Sequence, residues 1–190
     1  MTTTYRYSVE ILHLLVSSGH AYFGRANDGA ASVPTSDLDR VEVVACKGLV
    51  GDRFFGKAAH MDAAVTLMAV ESLEAIAAEL DVLPFDPLMA RRNVVLRGAH
   101  LAPLIGEEFA LESRGEIVQL RGGRHAHPCV WMDRMLAHGA HSAMRGRGGL
   151  RCQPLSDGVL HRGPAILLSP VPLQPEQAGA AARLRPGRLP

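Results

Sequence analysis

The sequence has little of several features that would decide its class at once. It holds three cysteines, an odd number that makes a poor disulfide framework and suits a reducing compartment. No apolar run approaches the roughly 20 residues that a membrane span needs. The net charge is only +1, far from the basic excess that phosphate backbones attract. We therefore expect a cytoplasmic protein without a membrane or nucleic-acid partner, although a local arginine cluster could still bind a small anion.

What the chain does have is the composition of one globular domain. A hydrophobic fraction of 47% with 21% charged residues can fill a core at a length that is common for single domains. From Val171 onward the chain is rich in Pro, Ala and Arg and poor in large apolar residues. We expect one domain over residues 1–170 and a disordered tail over residues 171–190.

Short segments rich in Val, Ile and Leu, separated by glycines, predict a mainly β fold. Frequent turns between short strands indicate a closed or partly closed antiparallel sheet, that is, a β-barrel-like fold with a few helices. A helix is predicted to begin after Asp62, because Val65, Met68 and Leu73 recur at near-helical spacing. A short second helix is expected within residues 131–138. The predicted strands are 9–16, 41–45, 93–97, 108–112, 116–121 and 165–169.

The segment from His125 to Cys129 has the highest density of side chains that can act as nucleophiles, bases or metal ligands. In extended backbone alternate side chains share a face, so His125, His127 and Cys129 could converge. Pro128 removes a donor from the strand ladder and favours a position at a sheet edge or rim. Two imidazoles beside a thiol favour the thiolate, which is both a nucleophile and a soft metal ligand.

Three interpretations of Cys129 are open at this point. A free cysteine is most often a small buried hydrophobe. A structural zinc site could be built from His125, His127, Cys129 and Cys152, although the spacing matches none of the usual zinc patterns. The third interpretation is a reactive or cofactor-binding thiolate.

Three further groups contain arginines that could bind an anion, since a guanidinium fork matches carboxylate or phosphate geometry. Taken singly, each has a plain alternative: a solvated strand start, a flexible glycine loop or a turn ion pair. The glycine-rich group lacks the spacing of known nucleotide-binding loops. The groups are Arg91-Arg92-Asn93, the run 146–151 with Arg147 and Arg151, and Asp52-Arg53.

The order of these pieces along the chain is more specific than any one of them. With the segments between them, they resemble a stand-alone bacterial-type MOSC domain, the module named after the C-terminal part of molybdenum cofactor sulfurase. The resemblance covers roughly residues 9–170. It rests on GLVGDRFFG at 48–56, VT at 65–66, RRNVV at 91–95, LIG at 104–106, PC at 128–129 and GRGGLR at 146–151.

The resemblance implies a barrel-like fold and a link to the molybdenum cofactor, a pterin dithiolene that bears a phosphate. The family's reactive cysteine falls on Cys129, which in relatives ligates molybdenum or is proposed to carry a persulfide. Its Arg–Asn pair, which contacts the phosphate side, falls on Arg92 and Asn93. The expected site is therefore catalytic Cys129, His127 and His125, with Cys129 as metal ligand, and cofactor-binding Arg92, Asn93, Asp52, Arg53, Arg147 and Thr66.

One position departs from the family pattern. Many relatives carry a second cysteine three residues before the reactive one, and this chain has Ala126 there. A mechanism that needs a vicinal Cys-x-x-Cys pair is therefore weakened.

The resemblance leaves more than one function open. The first is a molybdenum-dependent oxidoreductase that reduces N-hydroxylated small molecules, with electrons from a separate partner because no flavin, haem or iron–sulfur motif is visible. The second is a sulfur carrier that passes a Cys129 persulfide between a donor and an acceptor protein for metal–sulfur cofactor assembly. The third is a cofactor-binding module without catalysis. We rank the oxidoreductase ahead of the carrier.

Overall fold

The computed structural model describes residues 4–25 and 29–182. Within them the chain is mostly β, with three short α-helices. No helix in these residues is long and apolar enough to cross a bilayer. The helices are α1 (Val70–Glu79), α2 (Met132–Met135) and α3 (Ala140–Ala143). The strands are β1 (Tyr5–Ser17), β2 (Thr35–Asp37), β3 (Arg40–Val44), β4 (Gly48–Leu49), β5 (Val65–Ala69), β6 (Val94–Arg97), β7 (Glu108–Ser113), β8 (Glu116–His125), β9 (Leu150–Pro154), β10 (Gly158–His161) and β11 (Gly163–Ser169).

Seven strands close into a barrel in the order β11-β7-β8-β9-β5-β6-β1, and β1 pairs back onto β11. The closing pair is antiparallel and runs from Tyr5 opposite Ser169 to Ile11 opposite Gly163. Strand β2 extends the sheet beside β1, and β10, β3 and β4 form a separate small sheet. The predicted fold class, mainly β and barrel-like with a few helices, is confirmed.

One pair of strands in the barrel, β5 and β6, is parallel. Parallel neighbours need a crossover connection, and here α1 supplies it. The prediction of a wholly antiparallel sheet was therefore wrong at this pair.

The core lies inside the barrel because alternate side chains of each strand point inward. Ile11, Leu67, Leu96 and Leu111 are fully buried there. A second apolar cluster lies outside the barrel wall, where α1 packs with the short helices. It consists of Met68, Leu73, Ile76, Ala90, Trp131, Met132, Ala140 and Met144.

The helix predicted after Asp62 begins only at Val70, and residues 65–69 form strand β5 instead. All five residues of β5 are buried, because Leu67 faces the barrel interior while Met68 packs in the cluster under α1. A strand that is buried on both faces reads as a continuous apolar run, which spacing alone cannot distinguish from a helix. Strands β9 and β10 were also missing from the prediction.

The first part of the predicted tail packs against the body of the protein. Leu173 and Ala178 are buried, and a short 3₁₀ turn spans Pro175–Gln177. The Ala182 amide donates to the carbonyl of Gly146 at 2.9 Å. Over residues 171–182 the structure thus differs from the expected disorder, since scattered small apolar residues suffice to dock a short segment. Residues 183–190 lie outside the described residues.

Candidate functional site

Cys129 lies on an irregular segment between β8 and α2 that is held at both ends. The Ala126 amide donates to the carbonyl of Gly149 at 2.9 Å, and the Met132 amide donates to the carbonyl of Cys129 at 3.0 Å. At Gly148 an added Cβ would lie 2.0 Å from the Ala126 oxygen, so only glycine permits this close approach. Cys129 itself is exposed. The interpretation of Cys129 as a buried hydrophobe is therefore wrong.

The thiol opens into a cavity of about 340 Å³ in which four arginines meet. No aspartate or glutamate is among the described residues that line it, so its surface presents an excess of positive charge. Such a surface favours an anionic ligand. Besides Cys129, the lining consists of Arg53, Arg91, Arg92, Arg151, His20, Tyr22, Phe54, His60, Thr66, Ala90, His127 and Met132.

Arg92 is held in place by two backbone carbonyls. Its Nε donates to the carbonyl of Gly148 at 2.7 Å and its Nη1 donates to the carbonyl of Ala90 at 3.0 Å. Its Nη2 is buried and has no partner among the described residues. Burial, together with the charge of Arg151, lowers the pKa of Arg92 from 12.5 to about 10, while Cys129 acts in the opposite direction. A buried guanidinium N–H group without an acceptor is energetically costly, and a hydrogen bond to a bound anion would remove that cost.

Arg53, which also lines the cavity, likewise has buried N–H groups without acceptors among the described residues. Its side chain is 13% exposed, and its Nε and Nη1 are buried without hydrogen-bond partners among the described residues. The guanidinium lies 4.5 Å from the centroid of the Phe54 ring, and Nη1 is 3.6 Å from an Asp52 oxygen. Burial lowers the pKa of Arg53, with Asp52 opposing the change and Arg91 adding to it.

Arg91 has a left-handed backbone, with φ of 52°, and its side chain is tied to the chain after β1. Its Nη2 donates to the Ser17 hydroxyl at 2.7 Å and to the Gly19 carbonyl at 3.1 Å. The guanidinium lies 5.4 Å from the centroid of the Tyr22 ring, which stacks on Trp131. Burial lowers the pKa of Arg91. This arginine therefore both lines the cavity and holds the wall that Tyr22 forms.

Arg151 reaches the cavity from β9, where it pairs with Thr66 of β5. Burial lowers its pKa, and the charge of Arg124 acts in the same direction. Its contribution depends on β9, which the sequence did not predict, although Arg151 itself was noted in the glycine-rich run.

A buried polar network lies beneath the cavity. The Oδ1 of Asn93 accepts from the Thr66 amide at 3.0 Å and from the Thr66 hydroxyl at 2.9 Å. Its Nδ2 donates to the Leu15 carbonyl at 3.1 Å and to Asp52 at 3.2 Å, and Asp52 also accepts from the Phe54 amide at 3.1 Å. Asn93 and Asp52 do not line the cavity, whereas Thr66 does. The network ties β1, β5 and β6 to the turn that carries Arg53.

The two predicted catalytic histidines face different cavities. His127 lines the cavity of Cys129, whereas His125 lines a separate cleft together with His100. The strand ends at His125, so the alternation that was expected to bring the two imidazoles together stops there. Burial lowers the pKa of His125, and His127 adds to the effect.

The proposed zinc ligands are likewise not assembled. Cys152 is fully buried in the barrel core, where burial raises the pKa of its thiol. Across residues 4–25 and 29–182, no group of three or more His, Cys, Asp or Glu side chains is placed to hold a metal ion.

Arg147, predicted to bind the cofactor, also lies elsewhere. Its Nη1 donates to Glu79 at 2.5 Å and to the Ala143 carbonyl at 3.4 Å. It lines a chamber next to His100 and His125 and does not line the cavity of Cys129.

Two histidines that the sequence did not single out line the cavity instead. The rings of His20 and His60 lie 5.7 and 4.5 Å from the Phe54 ring, measured between centroids. Burial lowers the pKa of His20, as do the charges of Arg53 and Arg91. His20 lies on an irregular segment and His60 in the 3₁₀ helix Ala58–Ala63, and no local pattern marked either of them.

The fold and the site together define a β-barrel domain with an exposed cysteine at an arginine-lined cavity. The family model described as MOSC domain matches residues 50–166, more than half of the chain. The chain therefore belongs to the MOSC domain family, as its motifs indicated.

Three solved structures have folds similar to that of this chain. YuaD from Bacillus subtilis has a TM-score of 0.65 at 18% identity, over 89% of this chain and 99% of that one. YiiM from Geobacillus stearothermophilus has a TM-score of 0.59 at 15% identity, over 84% and 74% of the two chains. YiiM from Escherichia coli has a TM-score of 0.53 at 19% identity, over 93% and 76%. At these identities the likeness shows the fold alone. No curated protein matches the chain.

Proposed function

We propose that this chain binds the molybdenum cofactor in the arginine-lined cavity, with Cys129 as metal ligand, and acts as an oxidoreductase that reduces N-hydroxylated small molecules. One observation carries the proposal. The exposed thiol of Cys129 shares a cavity with four arginines, and Arg53 and Arg92 have buried N–H groups that lack acceptors among the described residues.

The residues present fit such a group. Thiolate sulfur is a soft ligand that suits a transition metal, and the unsatisfied guanidinium donors suit the oxygens of a phosphate. A cavity of about 340 Å³ falls at the lower end of the range for small-molecule and cofactor sites. Tyr22 and Phe54 add aromatic surface to the lining of the cavity.

In this proposal the chain's own residues divide the work. Arg92 and Arg53 bind the anionic end, and the network of Asn93 and Asp52 positions them. Cys129 supplies the thiolate, and the bound cofactor supplies the redox-active metal.

Reduction of an N–OH group breaks the N–O bond, consumes two electrons and two protons, and releases water. His127, exposed beside Cys129 in the same cavity, is placed to give one proton to the departing hydroxyl oxygen. An external electron-transfer protein would supply the electrons.

The sulfur-carrier alternative is favoured by a different observation, the exposure of Cys129. A persulfide has to be reached by both a donor and an acceptor protein, and an exposed thiol allows this. Neither of the other two cysteines lines the cavity. A persulfide on Cys129 would therefore be released by transfer to a partner and not by an internal disulfide.

The experiment is a comparison of reductase activity and persulfide formation in the same preparations. Protein from a host that makes the cofactor is assayed with an N-hydroxylated amidine and a low-potential electron donor, as wild type, Cys129→Ser and Cys46→Ser. Cys46 is also exposed but does not line the cavity, so it is the matched control. We expect Cys129→Ser alone to lose activity.

An active Cys129→Ser variant would refute the role of the thiol. A wild type without activity that gains one sulfur atom, by intact mass, after incubation with a cysteine desulfurase would favour the carrier.

A further inference from the structure

A second cavity lies apart from the one that holds Cys129. It is a cleft of about 860 Å³ between the loop of His100 and Ala102, the end of β8 at His125, and the C-terminal segment Gln177 to Ala182. Its inner end is a chamber of about 30 Å³ that reaches Ser72 and Arg147. The cleft and the chamber share His100, Ala102, His125 and Ala180, so they lie directly beside each other. None of their lining residues lines the Cys129 cavity.

The chamber contains polar groups that the described protein leaves unsatisfied. The Nδ1 of His100 and the Nε of Arg147 are both buried without a hydrogen-bond partner among the described residues. Buried polar groups are almost always paired with protein, water or ligand. The chamber has room for about one water-sized group, and such a group would satisfy these atoms. The cleft beside it is much larger than a single retained water needs and has the size of a small-molecule site.

The charge of the chamber is nearly balanced. Arg147 is paired through Nη1 with Glu79, and its Nε–H remains as one charge-assisted donor. Burial favours the neutral imidazole of His125. The chamber therefore offers a few N–H donors, which suits the two oxygens of one carboxylate. It lacks the four arginines of the Cys129 cavity, which suit a multiply charged phosphate ester.

The side chains that line the cleft outside the chamber are mainly small and aliphatic, and backbone groups give about half of its surface polar character. Ala102 and Ile105 form one side, Ala180 and its two following alanines form the other, and Gln177 contributes an amide. The C-terminal wall is firmly attached, since an added Cβ at Gly179 would lie 2.7 Å from the Glu71 carbonyl oxygen. Unpaired buried polar groups thus lie at the closed end, and aliphatic side chains lie along the cleft that leads to it.

We propose that this cleft binds a small monocarboxylic acid, with the carboxylate in the chamber on Arg147 and His100 and the apolar body between Ile105 and the alanines. His125 is the third polar group at the carboxylate. Protonation of His125 would strengthen the contact, so the carboxylate binds more tightly as the pH falls toward the ordinary pKa of histidine. The site is independent of the cofactor proposal, because it uses none of the residues around Cys129.

The test is calorimetric titration of the full chain with hexanoate and with hexanamide, its neutral match. We expect saturable one-to-one binding of hexanoate, and binding of hexanamide weaker by about tenfold or more, because the charge-assisted bonds are lost. Arg147→Met should weaken hexanoate by a similar factor. Ala180 lines both the cleft and the chamber, so Ala180→Phe, which keeps every polar group, should weaken binding by obstructing the entrance to the chamber, whereas Cys129→Ser should bind as wild type does.

Three results would overturn the proposal: no saturable hexanoate binding, equal binding of the amide, or unchanged binding in the correctly folded Ala180→Phe variant. The first would mean that the chamber holds water alone. Thermal melts of each variant establish that a loss of binding is not a loss of fold. Because Cys129→Ser is carried through the same titration, failure here is distinguishable from failure of the cofactor proposal.

Discussion

Replacing Arg92 by methionine should separate anion binding from folding. Methionine keeps much of the side-chain length and removes the charge, including the buried Nη2 that has no partner among the described residues. Sulfate is a suitable probe, because it keeps two charges across the neutral range and needs no cofactor. A hydrogen bond from a charged group contributes about 1.5–3 kcal/mol, so the dissociation constant for sulfate should rise by about 10- to 150-fold.

The same substitution should change the stability of the anion-free protein little. Arg92→Met removes two hydrogen bonds to the Gly148 and Ala90 carbonyls, a loss of about 1.5 kcal/mol each at the lower end of the range for a charged donor. It also removes a charge that the fold disfavours: the fall in the pKa of Arg92 from 12.5 to about 10 corresponds to about 3 kcal/mol. The opposing effects are of similar size, and we expect the free energy of unfolding to stay within about 1 kcal/mol of wild type.

Calorimetric titration with sulfate and urea unfolding without it provide the two measurements. Arg121→Met is the matched control, because Arg121 is exposed on β8, pairs with Glu108 and does not line the cavity. Equal sulfate affinity in wild type and Arg92→Met would refute the reasoning. So would an equal loss in Arg121→Met, which would mean that sulfate responds to overall charge.

Three further outcomes are expected. Burial and neighbouring arginines hold the pKa of His20 low, so a bound anion should raise that pKa. Sulfate should therefore bind more tightly as the pH falls from about 7 to about 5.5. The variant His20→Gln should show a weaker dependence of sulfate affinity on pH. Asn93→Ala should lower the free energy of unfolding by about 2–4 kcal/mol, measured by urea melts, since it leaves several buried groups unpaired; a loss under 1 kcal/mol would contradict the network. In the native protein a thiol reagent should modify Cys46 and Cys129 promptly and Cys152 only on unfolding, because Cys152 is buried and burial raises the pKa of its thiol; prompt modification of all three would show that the core opens.

The β architecture could be predicted from the sequence because each strand is short, apolar and bounded by turn residues. The predicted segment 108–112 and the observed strand β7 differ only at the C-terminal end. The helix start was misplaced because β5 is buried on both faces and so lacks the alternation that identifies a strand. Strand β9 was missed because it follows a glycine run and contains Arg151, Cys152 and Pro154. These residues do not form the apolar pattern that predicts a strand.

The sequence could predict only those site residues that belong to a recognisable motif. Arg92 and Cys129 are distant in sequence, and the contact of Arg92 with Gly148 and of Ala126 with Gly149 brings them to one cavity. The motifs did not show that the Asn93 side chain donates to the Leu15 carbonyl and to Asp52 within the protein and does not line the cavity. They also assigned Arg147 to the cofactor, because the position of a glycine loop in space depends on which strands flank it.

The central claim is that Cys129 and the arginines around it form one ligand site. Metal analysis of protein purified from a host that makes the molybdenum cofactor tests it most directly, with wild type, Cys129→Ser, Arg92→Met and the control Cys46→Ser compared side by side. We predict molybdenum in wild type and Cys46→Ser, and strong depletion in both other variants. Undiminished molybdenum in Cys129→Ser and Arg92→Met, or none in wild type, would contradict the account.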